Sequence, residues 1–242
     1  MKVRHIYLIL LILAIGAGLF FLWNYIQQNG QTQDHTKPQP VGYEAHPDSS
    51  GWRPLFNGKN LTGWKVTNFG PQGPVQVDEP DSSLILGIGD GCTGVTWQRE
   101  FPEVNYEISL DAKRVRGTDF FCGLTFPVQK EYCTLVVGGW GGTVVGISSI
   151  DGKDASENFT SRLMSFDNQC WYHIRVKVTS QYIQAWIDNN QVAEVHVNKH
   201  HFSVRPEVRL SRPLGICSWM TAAALKNIRF RKIPAKQVYQ SR

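Results

Sequence analysis

Residues 106–113 alternate strictly between apolar and polar side chains, and this pattern constrains the fold more than any other feature of the chain. The apolar set is Tyr106, Ile108, Leu110 and Ala112. The polar set is Glu107, Ser109, Asp111 and Lys113. Because successive side chains of a strand point to opposite faces, a period of two predicts a strand with one face buried and one face in water.

The same alternation returns later in the chain. It is found in residues 171–179, 182–188, 191–197 and 227–233. Asn189 and Asn190 separate the second and third of these runs and predict a tight hairpin turn, since Asn tolerates positive φ. Further strands are predicted at 83–87, 93–97, 120–126, 132–137 and 144–150. About a dozen strands without a convincing helix predict an all-β fold of two packed antiparallel sheets, with one remaining face free to hold a ligand.

The N-terminus carries an uncharged apolar run from Ile6 to Trp23, 18 residues long. As a helix it would span about 27 Å, close to the ~30 Å hydrocarbon core of a bilayer. Lys2 and Arg4 precede the run, whereas the next basic residue is Lys37, so the positive-inside rule predicts a cytoplasmic N-terminus. Residues 1–26 are therefore predicted to be an uncleaved signal-anchor, with the domain periplasmic or extracellular. A cleaved signal peptide is the alternative.

Residues 27–50 are rich in Gln, Pro and Ser, which predicts a flexible linker between the membrane segment and the domain. Residues 51–234 form the predicted sandwich domain, and residues 235–242 a C-terminal tail. The formal net charge of +5 is spread along the 242 residues and gives no case for binding nucleic acid.

The five cysteines have neither CxxC spacing nor a His/Cys zinc pattern, and no metal or other cofactor is predicted from them. Cys122 and Cys133 flank a predicted strand connection and could form a disulfide. Buried free thiols are the alternative, and the spacing does not decide between the two.

A specific motif opens the domain. Trp52-Arg-Pro-Leu-Phe-Asn-Gly-Lys-Asn-Leu-Thr-Gly-Trp64 resembles the opening signature of the 3-keto-disaccharide hydrolase domain family. The segment 225–233 is similar to the terminal strand of that family, and the strands at 171 and 185 also match. The resemblance frames residues 51–234.

The resemblance to this family implies a concanavalin-like jelly roll that acts on glycosides oxidised at sugar C3. The 3-keto group acidifies the C2–H, so a base can remove that proton, the glycosidic oxygen is expelled, and water adds. The polar strand motifs of the family are largely absent here. Of its Asn-Ser-Gly only Gly123 remains, 132–137 lacks the polar groups of Glu-x-Gln-Ile-x-Asp, and Cys217 to Met220 stand in place of Gln-x-His-Gly. Such a chain has either a different catalytic constellation or no catalysis.

The segment around Trp140 is the candidate carbohydrate site. Glycines allow close approach of the backbone, an indole face stacks on sugar C–H groups, and short polar side chains bind hydroxyls. The predicted substrate-binding residues are Trp140, Gly139, Gly141, Ser148, Ser149, Glu157 and Asn158. The predicted catalytic residues are Asp151, Asp154, Asp119 and His173. A glycine-rich hairpin with a core Trp, followed by a solvated loop, is the structural alternative.

The Asp151-Gly-Lys-Asp154 loop could bind calcium, although an ordinary turn is favoured because the spacing is not that of an EF-hand.

The domain is predicted to be a membrane-tethered glycoside hydrolase-like enzyme acting on 3-keto-glycosides. A non-catalytic, lectin-like module that binds carbohydrate is the alternative function.

Overall fold

The computed structural model describes residues 47–234. The predicted signal-anchor, most of the predicted linker and the predicted tail lie outside the described residues and stay predictions. Among residues 47–234, no helix has both the length and the apolar character needed to cross a membrane.

Strands dominate the described part of the chain. They are β1 (Arg53–Pro54), β2 (Trp64–Val66), β3 (Val75–Asp78), β4 (Ser83–Leu86), β5 (Cys92–Trp97), β6 (Tyr106–Arg116), β7 (Cys122–Val128), β8 (Glu131–Gly139), β9 (Val144–Ser148), β10 (Arg162–Leu163), β11 (Trp171–Val178), β12 (Tyr182–Ile187), β13 (Asn190–His196), β14 (Gly215–Trp219) and β15 (Ala222–Lys232). Two short 3₁₀ helices, Val197–Lys199 and Pro206–Ser211, follow β13.

The strands form two antiparallel sheets. Sheet 1 has eight strands in the order β13-β12-β11-β6-β15-β4-β3, with β1 also paired to β15. Sheet 2 has seven strands in the order β10-β9-β8-β7-β14-β5-β2. The prediction of an all-β, two-sheet antiparallel sandwich is confirmed.

One hydrophobic core lies between the two sheets. Sheet 1 contributes the apolar side chains of the alternating strands, all fully buried: Tyr106, Ile108, Leu110, Ile174, Val176 and Leu225. Sheet 2 contributes the facing set: Cys122, Leu124, Phe126, Leu135, Val137, Ile147 and Ile216. The side chains of sheet 2 that point the other way form its outer face.

Five strands were not predicted, because alternation is weak in them or they are very short: β1, β2, β3, β10 and β14. Of these, β1 and β10 have only two residues each. In β14 all residues but Trp219 are buried. A strand that is buried on both faces has no solvent-exposed face, so its sequence does not alternate between apolar and polar residues. β2 and β3 are only three and four residues long. The predicted hairpin turn is also shifted by one residue, because Ile187 pairs with Asn190 and the positive φ of 53° falls on Asp188.

Of the two alternatives for Cys122 and Cys133, the structure has free thiols and no disulfide, and the other three cysteines are free as well. In the hairpin of β7 and β8, Cys122 lies opposite Val137 and Cys133 opposite Phe126. The two cysteines are therefore four positions out of register, about 13 Å along the strands, which is too far for a disulfide. Burial raises the pKa of Cys122 to about 12, so its thiol stays protonated and unreactive.

The outer face of sheet 1 is less exposed to solvent than the alternation of apolar and polar residues predicts. Glu107 and Ser109 are 3% and 1% exposed although they point away from the core. The Glu107 carboxylate accepts bonds from Arg175 Nη1 (3.3 Å) and Arg231 Nε (2.6 Å). The two guanidinium groups stack on tryptophans, Arg175 on Trp186 and Arg231 on Trp52. This arrangement ties β6, β11 and β15 together on the side opposite the core.

Replacing Glu107 with Ala should lower the free energy of unfolding by about 2 kcal/mol, because two arginines lose their shared carboxylate. The value lies below that of a fully buried pair, since both guanidinium groups are about a third exposed and keep some solvation. Urea denaturation of the full-length chain in detergent measures this change in the free energy of unfolding. Glu194→Ala is the matched control on the same register row and should cost no more than about 0.5 kcal/mol. Equal losses for the two variants would contradict the role given to Glu107.

Candidate functional site

The outer face of sheet 2 is built from small and hydroxyl-bearing side chains at its centre. Thr134 of β8 lies between Ser148 of β9 and Thr125 of β7 in register, and the Thr125 and Thr134 hydroxyls are 2.8 Å apart. In the adjacent row Val136 lies between Gly146 and Gly123. Glycines and short side chains leave this part of the face low, so neighbouring segments can enclose space above it.

A cavity of about 180 Å³ lies on this face. It is smaller than the ~300–1,000 Å³ of typical drug-sized sites. Its lining residues are Asp119, Phe120, Thr134, Val136, Trp140, Ser148, Arg205, Glu207, Val208 and Trp219. The Phe120 and Trp219 rings pack with centroids 6.5 Å apart and planes tilted by 34°. Three aromatic side chains and a few polar groups thus surround a space suited to a single small ring.

The hairpin between β8 and β9 presents Trp140 to the cavity. Gly138, Trp140, Gly141 and Gly142 all have positive φ, a run that only a glycine-rich turn adopts at low cost. Gly139 lies at a register shift, and a Cβ on it would come within 2.8 Å of Val136 Cγ1. The indole is 42% exposed, so its surface is available to a ligand.

Asp119 brings a carboxylate to the same hairpin. Its Oδ1 accepts a hydrogen bond from the backbone N–H of Phe120 at 2.7 Å. Its Oδ2 accepts a long bond from the N–H of Gly141, at 3.5 Å, beside Trp140. Within residues 47–234 Asp119 forms no ion pair. It is therefore a carboxylate that lines the cavity with capacity to accept further bonds.

Arg205 occupies the other side of the cavity and is shared by two carboxylates. Its Nη1 donates to Asp154 Oδ2 at 2.7 Å, and its Nη2 donates to Glu207 Oε1 at 3.0 Å. The bond to Arg205 lowers the pKa of Glu207, and the bond to Glu207 raises the pKa of Arg205. The guanidinium carbon lies 6.0 Å from the centroid of the Trp140 ring. The positive charge of Arg205 is thus already compensated before any ligand binds.

The structure brings several predicted residues together. Asp119, Trp140 and Ser148 line the cavity, Gly139 and Gly141 shape its hairpin, and Asp154 lies behind Arg205.

Three residues predicted to bind substrate lie elsewhere. Asn158 is buried and uses its amide to hold its own loop, donating to the carbonyls of Ile147 and Asp154 at 2.7 Å each. Ser149 is 6% exposed, and its N–H donates to the carbonyl of Ser203. Glu157 is exposed at the loop surface, outside the cavity lining.

Asp151 also lies away from the cavity. Its Oδ1 accepts the backbone N–H of His201 at 2.9 Å, and its Oδ2 is 2.6 Å from His200 Nδ1. The bond from the His201 backbone, and then that from His200, lower the pKa of Asp151. Asp154 points to Ser156 and Arg205 instead. The two carboxylates of the Asp151–Asp154 loop, for which calcium was the less favoured alternative, therefore bind different partners. Within residues 47–234 no group of three or more His, Cys, Asp or Glu side chains could hold a metal ion.

His173 lies on the outer face of sheet 1 and not on the sheet that carries the cavity. Its Nδ1 is 2.6 Å from Asp111 Oδ1 and its Nε2 is 3.1 Å from Ser109 Oγ. This is the order of contacts of a Ser-His-Asp triad. However, Ser109 is 1% exposed and is flanked in register by Arg175 and Arg229, so a substrate carbonyl cannot reach its hydroxyl. The arrangement stabilises the sheet face.

Seven lining residues were missed from the sequence. Phe120, Thr134 and Val136 lie in predicted strands, where nothing marked them as site residues, and the other four are Arg205, Glu207, Val208 and Trp219. In this second group, Arg205, Glu207 and Val208 belong to the segment around the Pro206–Ser211 helix, which has no alternation to indicate which face it covers. Trp219 had a signal, because the motif comparison aligned it with the histidine of Gln-x-His-Gly. Its position on the cavity wall was therefore available from that alignment.

A family model described as the 3-keto-alpha-glucoside-1,2-lyase-like domain matches residues 51–234. A search of the curated proteins found no match.

Solved structures share the fold at low identity. The Crh5 transglycosylase in complex with NAG is 13% identical, with a TM-score of 0.53 over 78% of this chain and 87% of that one. Its apo form gives a TM-score of 0.52 at 13% identity, over 76% and 83% of the two chains. A protein of unknown function with a galectin-like fold from Bacillus subtilis is 12% identical, with a TM-score of 0.52 over 75% and 94%. At such identities these likenesses concern the fold alone.

Proposed function

Since the chain belongs to the 3-keto-alpha-glucoside-1,2-lyase-like domain family, as its opening and closing motifs indicated, we propose that the cavity on the outer face of sheet 2 binds one saccharide ring. The observation that carries this proposal is the combination of Phe120, Trp140 and Trp219 with hydroxyl and carboxylate groups in one small cavity. Aromatic rings stack on the C–H faces of sugars, and few polar groups fix the orientation of a ligand in such a pocket.

Titration of the full-length chain in detergent with a panel of disaccharides tests this proposal. A disaccharide that binds should give a saturable change in tryptophan fluorescence, because its ring desolvates Trp140. Sorbitol is the matched control, since it offers hydroxyls without a ring face and should give no saturable change. If no saccharide produces saturation, or if sorbitol produces the same change, the cavity is not a saccharide site.

Elimination on a 3-keto-glycoside is the second candidate function. The Asp119 carboxylate favours it, because it lines the cavity and forms no ion pair within the described residues. Asp119 would take the proton from sugar C2, and the electron pair would form an enolate with the C3 carbonyl. The enolate would then collapse to expel the glycosidic oxygen from C1, and this oxygen would take the proton back from Asp119, which restores the carboxylate. A water molecule would then add across C1 and C2, with its hydroxyl on C1 and its proton on C2. The Ser148 and Thr134 side chains line the same cavity, and their hydroxyls would stabilise the enolate oxygen.

We also propose that the domain lies outside the cytoplasm, held by an N-terminal membrane anchor. The apolar run 6–23, with basic residues before it and none after it until Lys37, supports a single-pass anchor with a cytoplasmic N-terminus. The domain would then meet saccharides in the periplasm or outside the cell.

A further inference from the structure

The charged groups around the cavity are unbalanced. Two carboxylates, Asp119 and Glu207, line it together with one guanidinium, Arg205. A third carboxylate, Asp154, bonds to the same guanidinium from behind. The local formal charge is therefore negative even when Arg205 is counted in full.

Arg205 is poorly placed to attract an anion. It donates to Glu207 from both Nε and Nη2 and to Asp154 from Nη1. An incoming carboxylate or sulfate would have to displace one of these partners. Arg114 also lies under the hairpin, but it is buried and its donors are directed to Gly142, Phe166 and Asn168.

A cation, by contrast, meets two favourable features side by side. The Asp119 carboxylate lies at the turn that presents Trp140, since its Oδ2 faces the N–H of Gly141. An ammonium group at this position would contact the Trp140 indole and a carboxylate that forms no ion pair among residues 47–234. Each of these interactions is stronger for a charged amine than for a neutral amide or hydroxyl. Arg205 lies 6.0 Å from the same indole ring, but its charge is held by Asp154 and Glu207.

We infer that the saccharide bound in this cavity carries a protonated amine, that is, a deacetylated amino sugar. This inference rests on the proposed saccharide site and adds the class of ligand to it. It excludes uronates and sulfated sugars as preferred ligands, because their charge has the same sign as that of the cavity.

The test compares three disaccharides of equal length, built from glucosamine, from N-acetylglucosamine and from glucuronate, on the full-length chain in detergent. At a pH where the amine is protonated, glucosamine should bind about five- to tenfold more tightly than its acetylated counterpart, and glucuronate should bind most weakly. Raising the pH above the pKa of the ligand amine should remove the preference. This pH comparison uses the unaltered protein and does not depend on the folding of a variant.

Asp119→Asn should bring the affinity ratio of amine to acetylated ligand close to one, whereas Asp78→Asn, on the exposed edge strand β3, should leave the ratio unchanged. Equal affinities for the amine and acetylated ligands, or preference for glucuronate, would overturn the inference and leave the saccharide site intact. Absence of binding by all three ligands and by the wider disaccharide panel would overturn both.

Discussion

Substitution of Asp119 by asparagine is expected to lower the turnover of a 3-keto-glucoside by about 10²- to 10⁴-fold, the range that general-base catalysis contributes. Asparagine has nearly the same shape as aspartate, and its side-chain oxygen can still accept the Phe120 N–H that now bonds to Oδ1. What the variant loses is the negatively charged oxygen that would take the C2 proton. The effect should therefore fall on kcat, with a much smaller change in KM.

Release of the leaving sugar, followed by chromatography, measures this turnover on the full-length chain. Asp188→Asn is the matched control, because Asp188 lies at the β12–β13 turn at positive φ, a conformation that asparagine also tolerates. It should retain full turnover. If Asp119→Asn turns over as fast as the parent, Asp119 is not the base. If the parent itself has no turnover while saccharide binding persists, the domain is a lectin-like module.

The strands and the core could be predicted from the sequence because they depend on local information. In β6 the alternation alone identifies Tyr106, Ile108 and Leu110 as core residues, and all three are fully buried. The burial of Glu107 could not be predicted in this way. Its cover comes from Arg175 on β11 and Arg231 on β15, and their pairing with β6 is set by the fold and not by neighbouring residues.

The same distinction between local and long-range information applies to the residues of the site. Asp119, Trp140 and Ser148 were found because glycines and polar groups near them in sequence indicate a ligand-binding turn. Arg205 and Glu207 were missed because their segment reaches the cavity only through long-range docking, as in the bond from Thr96 Oγ1 to the carbonyl of Leu210. His173 shows a further limit of the pattern. A period of two distinguishes the inner from the outer face of a strand, but a sandwich has two outer faces, and the pattern does not say which one holds the cavity.

The largest effect on binding is expected from Trp140. Trp140→Ala should weaken saccharide binding by roughly 30-fold, equivalent to about 2 kcal/mol, the loss typical of an aromatic side chain at the centre of a binding site. The indole is 42% exposed in the free protein, so its removal should leave the urea midpoint nearly unchanged and the loss can be assigned to the ligand contact. Trp140→Phe should recover part of the affinity, because a smaller ring still stacks on a sugar face.

Trp171→Ala is the matched control for this prediction. Trp171 is a partly exposed tryptophan that stacks with Lys113 and Lys226 on the outer face of sheet 1, and it cannot touch a ligand bound on sheet 2. Isothermal titration with the tightest disaccharide compares the two variants at equal concentration. If they lose affinity equally, the loss is a general effect on the domain. If Trp140→Ala binds the disaccharide as tightly as the parent protein does, the sugar ring does not stack on the Trp140 indole. Phe120 and Trp219 would then be the next residues to substitute.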